Sequence, residues 1–472
     1  MMFKKRSALI LFLFFVSFLS QAQQQVTIKG TISKPQDDTI KVIIYANPVS
    51  NKEVIFASAI SRSSGNFAIN LPLTQPVLAD LLYKDEVVSV FLEPGFDLTV
   101  NANGINGNTF LKTIKYTGKG AAENNYVAQF QAKFIENDGY QPLPDNIHEK
   151  EKGFGEFVDY NKKDMYKFYN AYLKDNALSE TFKVYAIAEI EYTWANDKIT
   201  YADLREKVLH TEPRINLSPN YYNFTNSVDV NNQAAMISPA YKTYLRNYIN
   251  HTVAENKHKK TDPDYYSVCY NICKQKLQGE NQKLVISQII KEAINTSHLK
   301  YTEPMIKELA SLNLKKEHAD YLLHTFTEKK RFSPGSPAPD FKFVSVTGDS
   351  VSLSSLKGKV VYLSFWNTSC GLCQVDMPHT QRLYEKMKDS NIVFLQVAVE
   401  KDEDQWRKMI AARKLPGIHA ITKGAEANLV KQYNLENFPS YFIISEDGTF
   451  LTTKANRPSS HSLEKELLTA LQ

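Results

Sequence analysis

Val360-Val-Tyr-Leu-Ser-Phe365, followed by Trp366-Asn-Thr-Ser369 and Cys370-Gly-Leu-Cys373, is the stretch on which the reading of this chain turns. The first six residues are apolar apart from Ser364 and read as a strand. From Cys370 onward the pattern is helical, so the first cysteine is expected at a helix N-terminus. Unpaired backbone N–H groups and the helix dipole favour a thiolate there, which makes Cys370 the expected nucleophile. Two intervening residues place Cys373 one turn along, within reach to attack back on a mixed disulfide. The pair Cys370–Cys373 therefore reads as a redox-active disulfide. Zinc would want a second Cys or His pair at ligand spacing; His379 is nearby but no such pair accompanies it, and no metal is expected. A purely structural disulfide is the remaining alternative.

Working outward, Phe332-Ser-Pro-Gly-Ser-Pro-Ala-Pro339 removes helix and strand options together and reads as a linker. Beyond it the pattern gives strands at 341–346, 360–365 and 391–399, with helices from about Cys370 and around 406–413. Strands at 440–444 and 449–454 and a final helix from about Ser462 complete the order. Strand and helix alternate first, then a hairpin and a closing helix follow, which is an α/β arrangement of about 140 residues. Glu400, Asp402, Glu403 and Asp404 follow the 391–399 strand and so share a sheet edge with the cysteines; their expected role is to favour the start of the next helix.

Taken together, Pro337-Ala-Pro-Asp-Phe341, Leu356-Lys-Gly-Lys-Val-Val-Tyr-Leu-Ser-Phe-Trp366, Cys370-Gly-Leu-Cys373 and Met377-Pro378 resemble the TlpA/ResA-type thioredoxin-like reductases of the bacterial envelope. The likeness covers residues 332–472, under a third of the chain, and implies a thioredoxin fold. It also implies a cis proline facing the cysteines, a place that Phe438-Pro439 fits just ahead of Tyr441-Phe-Ile-Ile444; a trans proline at an ordinary strand start is the alternative. Trp366, Phe438 and Pro439 would then contact the substrate, the backbone of Phe438 pairing with an extended segment. Asp376 matches an acidic position of the family, on roughly the same helix face as Cys373, and would accept and return the Cys373 proton. A solvated helix acid is the alternative for Asp376. Pro378 is expected to kink the helix just beyond.

Three positions depart from the family. Ser369 stands where Trp usually precedes the first cysteine, Leu372 where Pro is often found, and Ser364 where thioredoxin carries a buried acid. These positions set thiol acidity and disulfide stability, so the direction of exchange stays open. Peroxiredoxins share a Pro-Asp-Phe opening, but Asn367-Thr368-Ser369 lacks the Pro that their peroxidatic cysteine wants upstream.

The upstream sequence reads differently. Val26 to about Tyr116 alternates apolar and polar residues between turn signals such as Ser64-Gly65-Asn66 and Glu93-Pro94-Gly95, with no Cys or His, and suggests a small antiparallel β domain, sandwich-like, over 23–117. Residues 118–331 turn helical: Phe154, Val158, Met165, Phe168 and Tyr172 share one face, as do Tyr241, Tyr244, Leu245 and Tyr248, and Ile286, Ile289, Ile290 and Ile294. Such aromatic stripes are read as core. Cys269 and Cys273 lie four apart in this helical pattern, a spacing whose side-chain directions disfavour a bond, and read as buried or partner thiols.

Lys4, Lys5 and Arg6, an apolar run from Ala8 to Leu19 and the small residues Ser20 and Ala22 give a signal peptide over 1–22, with a periplasmic or cell-envelope address and no membrane span afterwards. Four cysteines among 472 residues are too few for a disulfide scaffold. A net charge of +5 without a basic, aromatic-interleaved track gives no argument for nucleic acid. The expected function is thus exported thiol-disulfide exchange, reducing protein disulfides, with no cofactor and with a membrane-side electron donor or acceptor as partner. An oxidase or isomerase using the same exchange, or a non-catalytic adaptor that docks through the thioredoxin fold, are the alternatives.

Overall fold

The computed structural model describes residues 24–47, 49–105, 109–210, 212–423 and 428–472. The expected signal peptide lies outside them. Two compact units emerge, Met1–Glu292 with Glu308–His318, and Ala293–Lys307 with Ala319–Gln472.

Among the described residues the first unit opens with eight strands: β1 (Gln24–Ser33), β2 (Thr39–Asn47), β3 (Lys52–Ala59), β4 (Asn66–Leu73), β5 (Val77–Tyr83), β6 (Glu86–Leu92), β7 (Asp97–Asn103) and, after the short helix α1 (Thr109–Thr113), β8 (Lys115–Lys119). They form two four-stranded sheets, ordered β4-β1-β7-β8 and β3-β2-β5-β6. All pairings among these strands are antiparallel except β1 with β7, which run parallel with β2 to β6 forming the connection between them. In β4, Phe67, Ile69, Leu71 and Leu73 are buried and every alternate residue is exposed, as a two-residue side-chain period requires. A Cβ at Gly30 would collide with the Val100 carbonyl of β7, which explains glycine in the middle of β1.

Helix α2 (Ala121–Phe130) closes the edge of β6. Asn124 accepts from Phe91 N–H at 2.8 Å and donates to its carbonyl at 2.9 Å; seven residues on, Gln131 does the same for Ser89 N–H and the Val87 carbonyl. These amides occupy backbone groups that an edge strand otherwise leaves open. The helices α3 (Glu151–Asp175), α4 (Glu180–Val208), α5 (Pro239–Glu255), α6 (Tyr265–Lys276) and α7 (Gly279–Asn295) follow. Ser179 and Ser238 cap α4 and α5, each accepting a backbone N–H three residues on. The aromatic stripes are core: Phe154 stacks on Tyr201 at 4.0 Å, and Tyr126 lies among Phe130, Phe168, Tyr169, Tyr172 and Phe182.

The second unit takes in α8 (Leu299–Lys307) and most of α9 (Lys316–Arg331), then β9 (Lys342–Val344), β10 (Ser350–Ser352), β11 (Val360–Trp366), α10 (Gly371–Met387), β12 (Ile392–Glu400), α11 (Glu403–Arg413), β13 (Ile418–Lys423), α12 (Asn428–Gln432), β14 (Ser440–Ile444), β15 (Phe450–Thr452) and α13 (Ser462–Ala470). The sheet order is β13-β12-β11-β14-β15, with β11, β12 and β13 parallel and β14 and β15 antiparallel. This mixed sheet with covering helices is a thioredoxin fold. β11 is buried along its whole length. One face packs on α10 and α13 through Leu383, Met387, Leu463 and Leu467; Phe343, Leu353 and Tyr433 cover the other. The sequence reading had no strand at β13; Pro378 lies inside α10, which continues to Met387. Among the described residues no helix is long and apolar enough to cross a membrane.

Candidate functional site

Because β11 is central and buried, the segment leaving it emerges in the middle of the sheet's carboxyl edge, and there α10 begins. Cys370 is the N-cap of α10: its Sγ accepts the Cys373 backbone N–H at 3.0 Å, and its side chain is half-buried. Cys373 is 3% exposed. The two form a disulfide with Cα atoms 5.2 Å apart. Of the two, only Cys370 is not enclosed, and it sits where helix N–H groups stabilise negative charge. Leu372, between them, is 54% exposed.

The loop entering the pair is fixed from the next strand. Glu400, at the end of β12, accepts from both the backbone N–H and the hydroxyl of Thr368, while Gln374 donates to the Thr368 carbonyl at 3.0 Å. Burial raises the Glu400 pKa, but these bonds and the N–H groups of Lys401 and Asp402 outweigh it and hold the carboxyl below its ordinary value. Of the acidic run, Asp402 does cap α11, as expected, by accepting from Gln405 N–H at 2.9 Å. The role of Glu400 is different and was not read from the sequence.

Asp376 is 1% exposed, which excludes a solvated acid. Its Oδ2 accepts from the Tyr441 hydroxyl at 2.8 Å and from Arg457 Nε at 2.9 Å, and Oδ1 is buried without a partner. Asp376 and Cys373 line the same cavity, of about 20 Å³, together with Ser364, Trp366, Met377, Thr380 and Gln396 among others. Burial, then the neighbouring Asp376, pushes the Tyr441 phenol well above its ordinary pKa, so it stays a hydrogen-bond donor.

Trp366 is 4% exposed and packs beneath Cys373 with Met377 and Trp406. It therefore presents no surface to a substrate, contrary to the sequence expectation, because its place on β11 turns it into the unit's interior. Phe438 and Cys370 both pack against that cluster from the partly buried side, and the Phe438–Pro439 bond is cis. Cys269 and Cys273 are free and buried within α6.

The Redoxin family model matches residues 333–471. Thiol-disulfide oxidoreductase ResA from Bacillus thuringiensis subsp. konkukian is 28% identical over 142 residues, 30% of this chain and 81% of that protein. Thioredoxin-like protein YneN from Bacillus subtilis is 29% identical over 150 residues, 31% of this chain and 86% of that protein. Among solved structures, the thioredoxin domain of a thiol-disulfide oxidoreductase from Bacteroides vulgatus is 25% identical, covering 30% of this chain and 99% of that one, with a TM-score of 0.28.

Proposed function

Since residues 333–471 are a thioredoxin-superfamily module of the TlpA/ResA type, a thioredoxin-like thiol-disulfide oxidoreductase, we propose that this chain is an exported enzyme that reduces protein disulfides through Cys370 and Cys373. The supporting observation is the asymmetry of the pair: Cys370 half-buried at a helix N-cap, Cys373 enclosed beside a buried carboxylate. In the reduced protein the Cys370 thiolate attacks one sulfur of the substrate disulfide, and the other leaves as a thiolate. Cys373, its proton taken up by Asp376, then attacks Cys370 Sγ. The substrate leaves with both electrons, and the Cys370–Cys373 disulfide forms. In this reading Phe438 and Pro439 take an extended substrate segment past Cys370, supported by the packing of Phe438 and Cys370 on one cluster.

Renewed turnover needs a dithiol donor, which we place at the membrane. The basic and apolar character of residues 1–22 supports export. In this reading the chain is a leader (1–22), a β-rich part (23–117), a helical part (118–331) and the catalytic part (332–472), with the middle two serving client binding or spacing.

The test is the reduction potential of the Cys370/Cys373 pair, by thiol trapping across glutathione and dithiothreitol buffers. A value near or below about −270 mV supports a reductase, whereas one near about −120 mV makes the protein an oxidase. Absence of any redox-dependent trapping leaves only a docking role for the fold.

A further inference from the structure

Arg457 sits between β15 and α13, 81 residues from the acid it touches. Its Nε donates to Asp376 Oδ2 at 2.9 Å, and its Nη2 donates to the Leu372 carbonyl at 3.3 Å, so one guanidinium spans the buried acid and the backbone inside the Cys-x-x-Cys turn. The segment that carries it is braced on three sides. Asn456 donates from its backbone and side chain to Glu466 of α13 at 3.0 and 2.8 Å, its carbonyl accepts from Tyr362 of β11 at 2.9 Å, and Ala455 N–H donates to the Tyr441 carbonyl at 3.0 Å. Arg457 is thus a preorganised fork rather than a mobile surface cation.

We propose that Arg457 is a positioning residue for the resolving step: with Tyr441 it occupies Oδ2 of Asp376 and leaves Oδ1 as the proton-accepting oxygen for Cys373. The inference rests on the exchange reading above. One hydrogen bond on a carboxylate fixes a distance; two on the same oxygen from different directions also fix the plane. The remaining oxygen, buried and unpartnered, belongs to a residue that shares its cavity with Cys373. In the step itself the Cys373 S–H proton passes to Oδ1, and the thiolate attacks Cys370 Sγ. The bond between Cys370 and the substrate sulfur breaks, and the departing thiolate takes the electron pair and a proton. Arg457 touches none of the reacting atoms. It acts through Asp376 and through the Leu372 carbonyl, which ties the acid to the turn holding both sulfurs.

The test uses the full chain, with oxidised glutathione as probe. The reduced protein is mixed with it, quenched in acid, and the adduct on Cys370 and its resolution are timed by mass spectrometry. Arg457→Gln is expected to leave adduct formation within about twofold and to slow resolution about tenfold. In an Asp376→Asn background the same change is expected to add less than about twofold, because its effect runs through the missing carboxylate. Arg457→Lys keeps the charge without the fork, and its resolution rate is expected to lie between the other two. Equal slowing of both steps, undiminished slowing in the Asp376→Asn background, or wild-type resolution in Arg457→Lys would overturn the proposal. Reduction of insulin disulfides is read separately, so that an inert protein substrate counts against the substrate assignment and not against Arg457.

Discussion

Two pairs of cysteines, one in each unit, have nearly the same spacing and opposite surroundings. Cys370 and Cys373 straddle the first turn of α10, where a cysteine at the N-cap is exposed to solvent on one side and to free N–H groups on the other. Cys269 and Cys273 lie inside α6, both fully buried. Burial pushes the Cys273 thiol up to about 12; it also raises Cys269, against the opposing Arg246 guanidinium and Tyr265 hydroxyl. Spacing is therefore a poor guide to thiol chemistry. What separates the pairs is the helix terminus, which stabilises a thiolate, and solvent access, which lets a second sulfur approach in line.

The sharpest way to break this contrast is Cys370→Ser. Insulin reduction is expected to fall by at least about 10³-fold, since the proposed nucleophile is gone; retained activity would transfer the chemistry to another thiol. Cys373→Ser should keep the first attack and lose the second, with turnover down about 100-fold and a mixed disulfide visible on non-reducing gels. Glu400→Ala probes the loop that the α6 pair lacks. It strips Thr368 of a shared acceptor, and an unfolding free energy lower by about 1–3 kcal/mol in denaturant titration is expected. Because the Glu400 carboxyl is held below its ordinary value, its contribution is present above the unfolded-state pKa, near 4.3, and is lost as the pH falls through the folded one. Wild type and Glu400→Ala should therefore converge in stability on acidification below about pH 4.

How much of this was legible depended on sequence distance. An apolar strand running into Cys-Gly-Leu-Cys is a local signal: with the family resemblance it pointed to the thioredoxin fold that is found, and it placed Cys370 at the start of a helix with Cys373 one turn along. The β13 strand was not legible: Ile418-His-Ala-Ile-Thr-Lys423 is short and interrupted by a polar His419, and only its position beside β12 makes it a strand. The parallel pairing of β1 with β7 is likewise a property of the assembled sheets. Asp376 could be placed on the right helix face, but its partners Tyr441 and Arg457 lie 65 and 81 residues away and carry no local mark. Trp366 was assigned to substrate on the family resemblance; the two-residue period that sends Phe365 to one face sends Trp366 into the cluster beneath Cys373.

The smallest expected effect is the most informative about the comparison itself. The double change Cys269→Ala with Cys273→Ala should leave insulin reduction and the Cys370/Cys373 potential unaltered, because both thiols are free and enclosed within α6. Iodoacetamide labelling of the native protein, with Cys370 and Cys373 held oxidised, tests why. With its pKa at about 12, the Cys273 thiolate fraction at pH 8 is about one part in ten thousand, and the fraction rises tenfold for each pH unit up to that value. Labelling should therefore be negligible at pH 8 and should appear only with denaturant, following the unfolding transition of the first unit rather than the pH alone. Rapid native labelling would mean that α6 opens readily, and the difference between the two pairs would then lie in the helix terminus alone, with burial playing no part.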